Sequence, residues 1–206
     1  MDYLGLEGSF RRREVINKSV FITTLVRAES PEQAAEEIRK IRKEFSDATH
    51  NCYAFSAGQY KKSSDDGEPA GTAGQPMAEV LKKRGADMLV AVVTRYFGGI
   101  KLGAGGLIGA YSGNVARALD EAPMRLYRPS AVMKIEVAYA LASKTEALLG
   151  AAGAIIDSRD WEGCARFTAA LPEEEAEKVC LAIADMSAGG AKISKMHGEY
   201  RAYKLK

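Results

Sequence analysis

The sequence lacks the means for disulfide chemistry. Its three cysteines, Cys52, Cys164 and Cys180, are far apart, form no CxxC pair and leave an odd count. Reduced thiols in the cytosol fit such usage better than a disulfide framework. No apolar run approaches the ~20 residues that span a bilayer, and the opening MDYLGLEGSFRRREV has no apolar core of the signal-peptide kind. A cytoplasmic protein outside the membrane is expected. An excess of one charge is missing as well. Through Arg125 there are 18 Lys+Arg against 16 Asp+Glu, and after it 11 against 11. Neither half is a basic domain, so contact with nucleic acid has to rest on a local patch. The C-terminal KISKMHGEYRAYKLK is one such patch by composition, although lysines on an edge strand also block unwanted pairing.

What is present suits two domains. The chain has 206 residues, 47% of them hydrophobic and 27% charged, enough to bury ordinary cores. Val20–Val26 is a β-branched apolar run, read as a strand. Ser30-Pro31-Glu32-Gln33 supplies a capping box and a first-turn proline, and Ala34, Ile38, Ile41 and Phe45 give the following helix one apolar face. Asn51–Ala57 reads as a strand, residues 59–76 as a long loop, Pro76–Arg84 as a short helix, and Met88–Thr94 as a strand buried on both faces. A glycine-rich turn then leads to a helix from about Leu107 to Leu119. The second domain opens with Met133, Ile135, Val137 and Tyr139 alternating against Lys134 and Glu136. A capping box at Ser143–Glu146 starts a helix. Strands at 154–159 and 164–171, a helix opened by Glu173–Glu175 and a last strand at 192–205 follow. The order β-α-β-β-α-β is the ferredoxin-like pattern.

Three segments carry potential chemistry. Arg95–Gly109 (RYFGGIKLGAGGLIG) holds six glycines in fifteen residues between a buried strand and a helix. Gly98, Gly99, Gly103, Gly105 and Gly106 suit a backbone that turns sharply and leaves helix N–H groups open to an anion, with Arg95 and Lys101 supplying positive charge. The same glycines also suit close packing of a helix on a sheet. Neither nucleotide signature fits. Ala104 stands where a P-loop needs lysine, and Ile108 where GxGxxG needs its last glycine. The second segment, SDDGEPAGTAG, places Asp65, Asp66 and Glu68 in one loop, able to hold Mg²⁺ with waters, to pair with Arg95 and Lys101, or simply to make turns. EF-hand spacing is missing, so no metal is expected. In the third, His50 and Cys52 lie two apart and point to the same face of a strand. Zinc would need further ligands, and no nucleophile signature surrounds the pair.

Taken together, HNCYAF, SDDGEPAGTAG and VVTRYFGGIKLGAGGLIGAYSGNVARAL resemble the IMPACT family in its bacterial YigZ-like branch, over about residues 15–125. The resemblance implies an α+β chain of two domains. The first, 1–125, would be a left-handed βαβ domain like that of a small-subunit ribosomal protein and of domain IV of elongation factor G. The second, 126–206, would be a ferredoxin-like βαββαβ domain resembling domain V of the same factor. Eukaryotic relatives regulate translation by competing for the co-activator of an initiation-factor kinase, using an additional N-terminal domain, so that role is not expected to carry over directly. The family offers no established catalytic residues.

The expected function is therefore a non-enzymatic, translation-linked regulator. It would bind RNA, the ribosome or a protein partner in translation control through the anion-binding turn formed by Arg95, Gly98, Gly99, Lys101, Gly103, Gly105 and Gly106. His50, Asp65, Asp66 and Glu68 would complete a composite site. No catalytic residue, metal or cofactor is expected, and nothing in the sequence sets an oligomeric state. The alternatives are a metal-dependent enzyme acting on a phosphorylated or nucleotide substrate, and a protein–protein adaptor.

Overall fold

A computed structural model describes residues 1–205. The fold is mixed α and β, with two sheets and five helices among the described residues. The chain divides into two compact units, Tyr3–Leu126 and Tyr127–Tyr203, with Met1–Asp2 joining the latter.

The first unit contains β1 (Tyr3–Leu6), β2 (Ser9–Ile16), β3 (Ser19–Arg27), α1 (Pro31–Glu44), β4 (His50–Ala57), β5 (Tyr60–Ser64), α2 (Gly74–Lys83), β6 (Leu89–Tyr96) and α3 (Gly103–Glu121). Five strands form one sheet in the order β2-β3-β6-β4-β5, each neighbouring pair antiparallel. The run LVAVVT puts β6 at the centre, where both faces are covered. On one face Leu89, Ala91 and Val93 meet Met77 and Leu81 of α2 and Leu107, Tyr111 and Val115 of α3. On the other, Val90 and Val92 meet Ala34, Ile38 and Ile41 of α1.

The start of α1 follows from its residues. Ser30 Oγ accepts from Gln33 N at 3.2 Å, and Gln33 Oε1 accepts from Glu29 N at 2.8 Å, one residue earlier than a capping box would have it. Three expectations are corrected in this unit. The loop expected at 59–76 contains β5, whose YKKSS carries no apolar alternation because it is an exposed edge strand. Helix α2 starts at Gly74, before Pro76, since a proline fits a helix's first turn without losing a hydrogen bond. Helix α3 starts at Gly103, four residues before Leu107, because its first turn is exposed and needs no apolar stripe.

In the second unit, β7 (Met124–Val137) leads through a 3₁₀ turn at Tyr139–Leu141 into α4 (Ala142–Ala151), then β8 (Ile155–Asp160), β9 (Ala165–Pro172), α5 (Glu173–Met186) and β10 (Lys192–Tyr203). The elements run β-α-β-β-α-β, with strands ordered β10-β7-β9-β8. Met133, Ile135 and Val137 face a core closed by Leu149, Phe167, Val179 and Ile183. The acidic triplet Glu173–Glu175 occupies the first turn of α5, at the positive end of its dipole. Tyr139 leaves the strand alternation and lies exposed in the 3₁₀ turn. Ser143 is inside α4 and caps nothing, because that turn feeds the helix directly from Leu141.

Candidate functional site

The register of the first sheet assembles the site. Arg95, near the end of β6, pairs across to Phe21 on β3 and to His50 on β4, so all three stand in one row. Arg95 is only 4% exposed. Its Nη1 donates to Glu68 Oε1 at 2.7 Å and its Nη2 to Ser19 Oγ at 3.3 Å. Its guanidinium lies over Phe21 at 5.6 Å and over Phe97 at 5.5 Å from the ring centroids. Its Nε is buried and has no partner. Glu68, 8% exposed, also accepts from the Tyr111 hydroxyl at 2.6 Å. Tyr111 comes from α3 and meets Phe21 edge-on at 5.5 Å. Burial, reinforced by the Glu68 carboxylate, keeps its phenol neutral by pushing the pKa well above the ordinary value. A charged pair this deeply buried persists because each partner answers the other.

The carboxylate segment is a strap tied down along its length. Asp65 accepts from the backbone N–H of Gly71, Ala73 and Gly74 at 2.8, 3.0 and 2.8 Å. Burial alone would raise its pKa, but these three donors bring it below the ordinary value. Asp66 accepts from Asn51 N at 2.6 Å and pairs with Arg42. The His50 ring bonds the Asp66 carbonyl through Nδ1 at 2.8 Å, so that nitrogen carries the proton, and Nε2 lies 3.8 Å from Glu68 Oε2. Cys52 donates to the Asp65 carbonyl at 2.9 Å rather than to His50. Burial pushes its thiol up to about 12, out of the range where a thiolate nucleophile forms near neutral pH.

The glycines divide by role. A Cβ on Gly98 would lie 2.1 Å from the carbonyl carbon of Lys18, so Gly98 is a packing residue. It sits against the β2–β3 turn, and its N–H donates to Ser19 Oγ at 3.2 Å. Gly99 has φ +82° and Gly103 φ +70°, conformations that favour glycine as the chain turns into α3. Gly103, Ala104, Gly105 and Gly106 are all exposed. A Cβ on Gly103 or Gly105 would meet nothing within 4 Å, while one on Gly106 would press on Leu102 at 3.2 Å. Leu102, at the N-cap position, offers no side-chain acceptor, so the first-turn N–H groups of α3 are uncapped.

An open cleft of about 370 Å³ lies here, lined by Glu68, Pro69, Arg95, Phe97, Lys101, Leu102, Gly103, Ala104 and Leu107. The structure thus brings Glu68, Arg95, Lys101 and Gly103 to one cavity. His50 stands behind Glu68, and Asp65 and Asp66 hold the strap. Gly98 lies beneath the turn. The sequence reading missed Tyr111, Ser19 and Phe97. Alternation along a strand could have flagged Phe97, two residues beyond Arg95, whereas Tyr111 and Ser19 reach the site only through the tertiary fold.

Residues 17–119 match the Impact N-terminal domain, and residues 135–189 match a domain of unknown function, DUF1949. The chain is similar to the IMPACT family member YigZ of Escherichia coli, 38% identical over 87% of this chain and 91% of that protein. It is also similar to the IMPACT family member YvyE of Bacillus subtilis, 51% identical over 57% of this chain and 56% of that one, so the match spans just over half that relative's length. A solved structure described as the crystal structure of an hypothetical protein is 35% identical, aligns over 95% of this chain and 98% of its own, and has a TM-score of 0.60.

Proposed function

From the premise that this chain belongs to the IMPACT family, we propose that it is a non-enzymatic regulator linked to translation, which binds nucleic acid, free or in the ribosome, at the cleft where α3 begins. The observation that carries this reading is the uncapped, exposed first turn of α3 beside Lys101, in a cleft whose wall includes a buried arginine with an unpartnered Nε. Uncapped N–H groups at the positive end of a helix dipole favour an anion, and phosphate is the anion that nucleic acid repeats. Glu68 neutralises much of the Arg95 charge, so among the described residues that line the cleft Lys101 is the cation with no carboxylate partner.

On this proposal the module built on α3 is the counterpart of domain IV of elongation factor G, with its left-handed crossover. The βαββαβ unit is then the counterpart of domain V, and the place of action is the cytoplasm. The rival enzyme reading needs Asp65, Asp66 and Glu68 to hold a metal, yet backbone N–H groups, Arg42, Arg95 and Tyr111 already engage all three.

Titration of labelled RNA at low and moderate salt tests the proposal. Binding is expected to weaken with salt and to show little sequence preference. Lys101→Ala should lower affinity evenly across sequences and reduce the salt slope by about one. Absence of salt-sensitive binding even at low salt would replace this reading with that of a protein–protein adaptor.

A further inference from the structure

The cleft contains more than an anion site requires. Phe97 lines it and is 47% exposed, and Ile100 and Ile108, at 42% each, flank the same turn. Large apolar side chains left exposed mark a contact surface when they lie together, and of these three Phe97 is the one that lines the cleft. Pro69, Leu102, Ala104 and Leu107 add further apolar lining. A phosphate alone has no use for such walls. A duplex hides its base faces inside the stack and shows the cleft mainly phosphate and sugar, whereas a single strand presents a base face and a phosphate together.

The Phe97 ring also has a cation over it, and its backbone is anchored, before any ligand arrives. The Arg95 guanidinium backs it at 5.5 Å from the centroid, and the Phe97 N–H donates to Thr49 Oγ1 at 3.0 Å. Arg95 itself is fixed by Glu68, Ser19 and Phe21. A ring braced by a stacked cation is a platform that loses little freedom when something lies on it. The cleft, at about 370 Å³, falls within the range of small-ligand sites.

We propose that this cleft takes one nucleotide unit of a single strand, its base stacked on Phe97 and its phosphate on the first turn of α3 beside Lys101. This rests on the anion-binding reading above and narrows it from nucleic acid at large to single strands. Stacking accepts any base, so little sequence preference is expected, and RNA and DNA share the chemistry.

The test uses the full chain and fluorescence anisotropy at low salt, with labelled strands of about ten nucleotides. The strands are single-stranded RNA, single-stranded DNA of the same sequence, the RNA duplex, and an abasic strand with the same phosphates. Base-bearing single strands are expected to bind about tenfold more tightly than the abasic strand and the duplex. Phe97→Leu keeps an apolar side chain but removes the ring. It should abolish that advantage while leaving abasic binding unchanged, and Phe97→Tyr should keep it. A difference between the RNA and DNA arms would identify the natural strand and leave the stacking intact. Equal binding of abasic and base-bearing strands, or an unaffected Phe97→Leu while Lys101→Ala still weakens binding, would overturn the stacking and leave the anion site standing. If no strand bound in a salt-sensitive way, both readings would fall, and a protein partner would be the occupant to seek.

Discussion

Two neighbouring segments of the first unit handle their polar groups in opposite ways. In the strap at 65–73, each carboxylate is answered: Asp65 by three backbone N–H groups, Asp66 by Asn51 and Arg42, Glu68 by Arg95 and Tyr111. In the turn at 97–106, the helix N-terminus has no side-chain cap, and Lys101 has no carboxylate partner among the described residues. Saturated polar groups hold a structure together, whereas unsaturated ones at a surface remain available to something else. The acidic segment, which has the more chemically suggestive sequence, is thus the support, and the glycine turn is the segment to which our proposal assigns the contact.

Removing the centre of the support should have the largest effect. Glu68→Ala leaves Arg95 buried without its counter-charge and is expected to cost about 3–5 kcal/mol in urea unfolding. A loss under about 1 kcal/mol would show that the strap is not a support. Gly98→Ala comes next, at about 3 kcal/mol, because its Cβ would collide with backbone at Lys18 that cannot rotate away. Asp65→Asn should cost about 2 kcal/mol near neutral pH, from weakened charge-assisted bonds to three N–H groups.

That cost should depend on pH in a definite sense. The folded-state pKa of Asp65 lies below its ordinary 3.8. Its stabilisation is therefore complete above 3.8 and lost as pH falls through the lower folded value. The stability difference between wild type and Asp65→Asn should be flat at neutral pH and shrink in acid; a difference that grew in acid would contradict the assignment. Gly105→Ala sits at the small end, on the contact side of the comparison. Its Cβ meets nothing in the protein, so stability should hold or rise by about 0.5 kcal/mol. RNA affinity should fall at the same time, because the methyl group stands over the exposed first turn. Unchanged stability with unchanged affinity would remove this turn from the binding surface.

Periodicity made some of this legible in the sequence. The Ala34, Ile38, Ile41 stripe and the MLVAVV run gave α1 and β6 within a residue or two, because burial on a regular element leaves a repeat. Strand β5 left none, since its YKKSS lies on an open edge with its side chains largely in solvent. The first turn of α3 was hidden for a related reason: exposed glycines carry neither an apolar stripe nor helix propensity. The buried Glu68–Arg95 pair joins residues 27 positions apart, and only the sheet register puts Arg95 between Phe21 and His50. Charge counting finds both residues but cannot say that one has neutralised the other.

The position of β6 has a consequence for motion. It is the central strand of its sheet, and Leu89 through Val93 are fully buried. Amides in such a strand exchange with solvent only through the rarest, most global openings, while an uncapped helix end frays on its own. The cleft joins these two regimes. Arg95 extends from the strand expected to exchange slowest, and Gly103–Gly106 belong to a turn expected to exchange fast. A ligand seated there should slow exchange in that first turn and leave β6 as it was. Its entropic cost would then come mainly from ordering the glycine turn and the exposed Lys101 side chain, with little from the buried strand behind them.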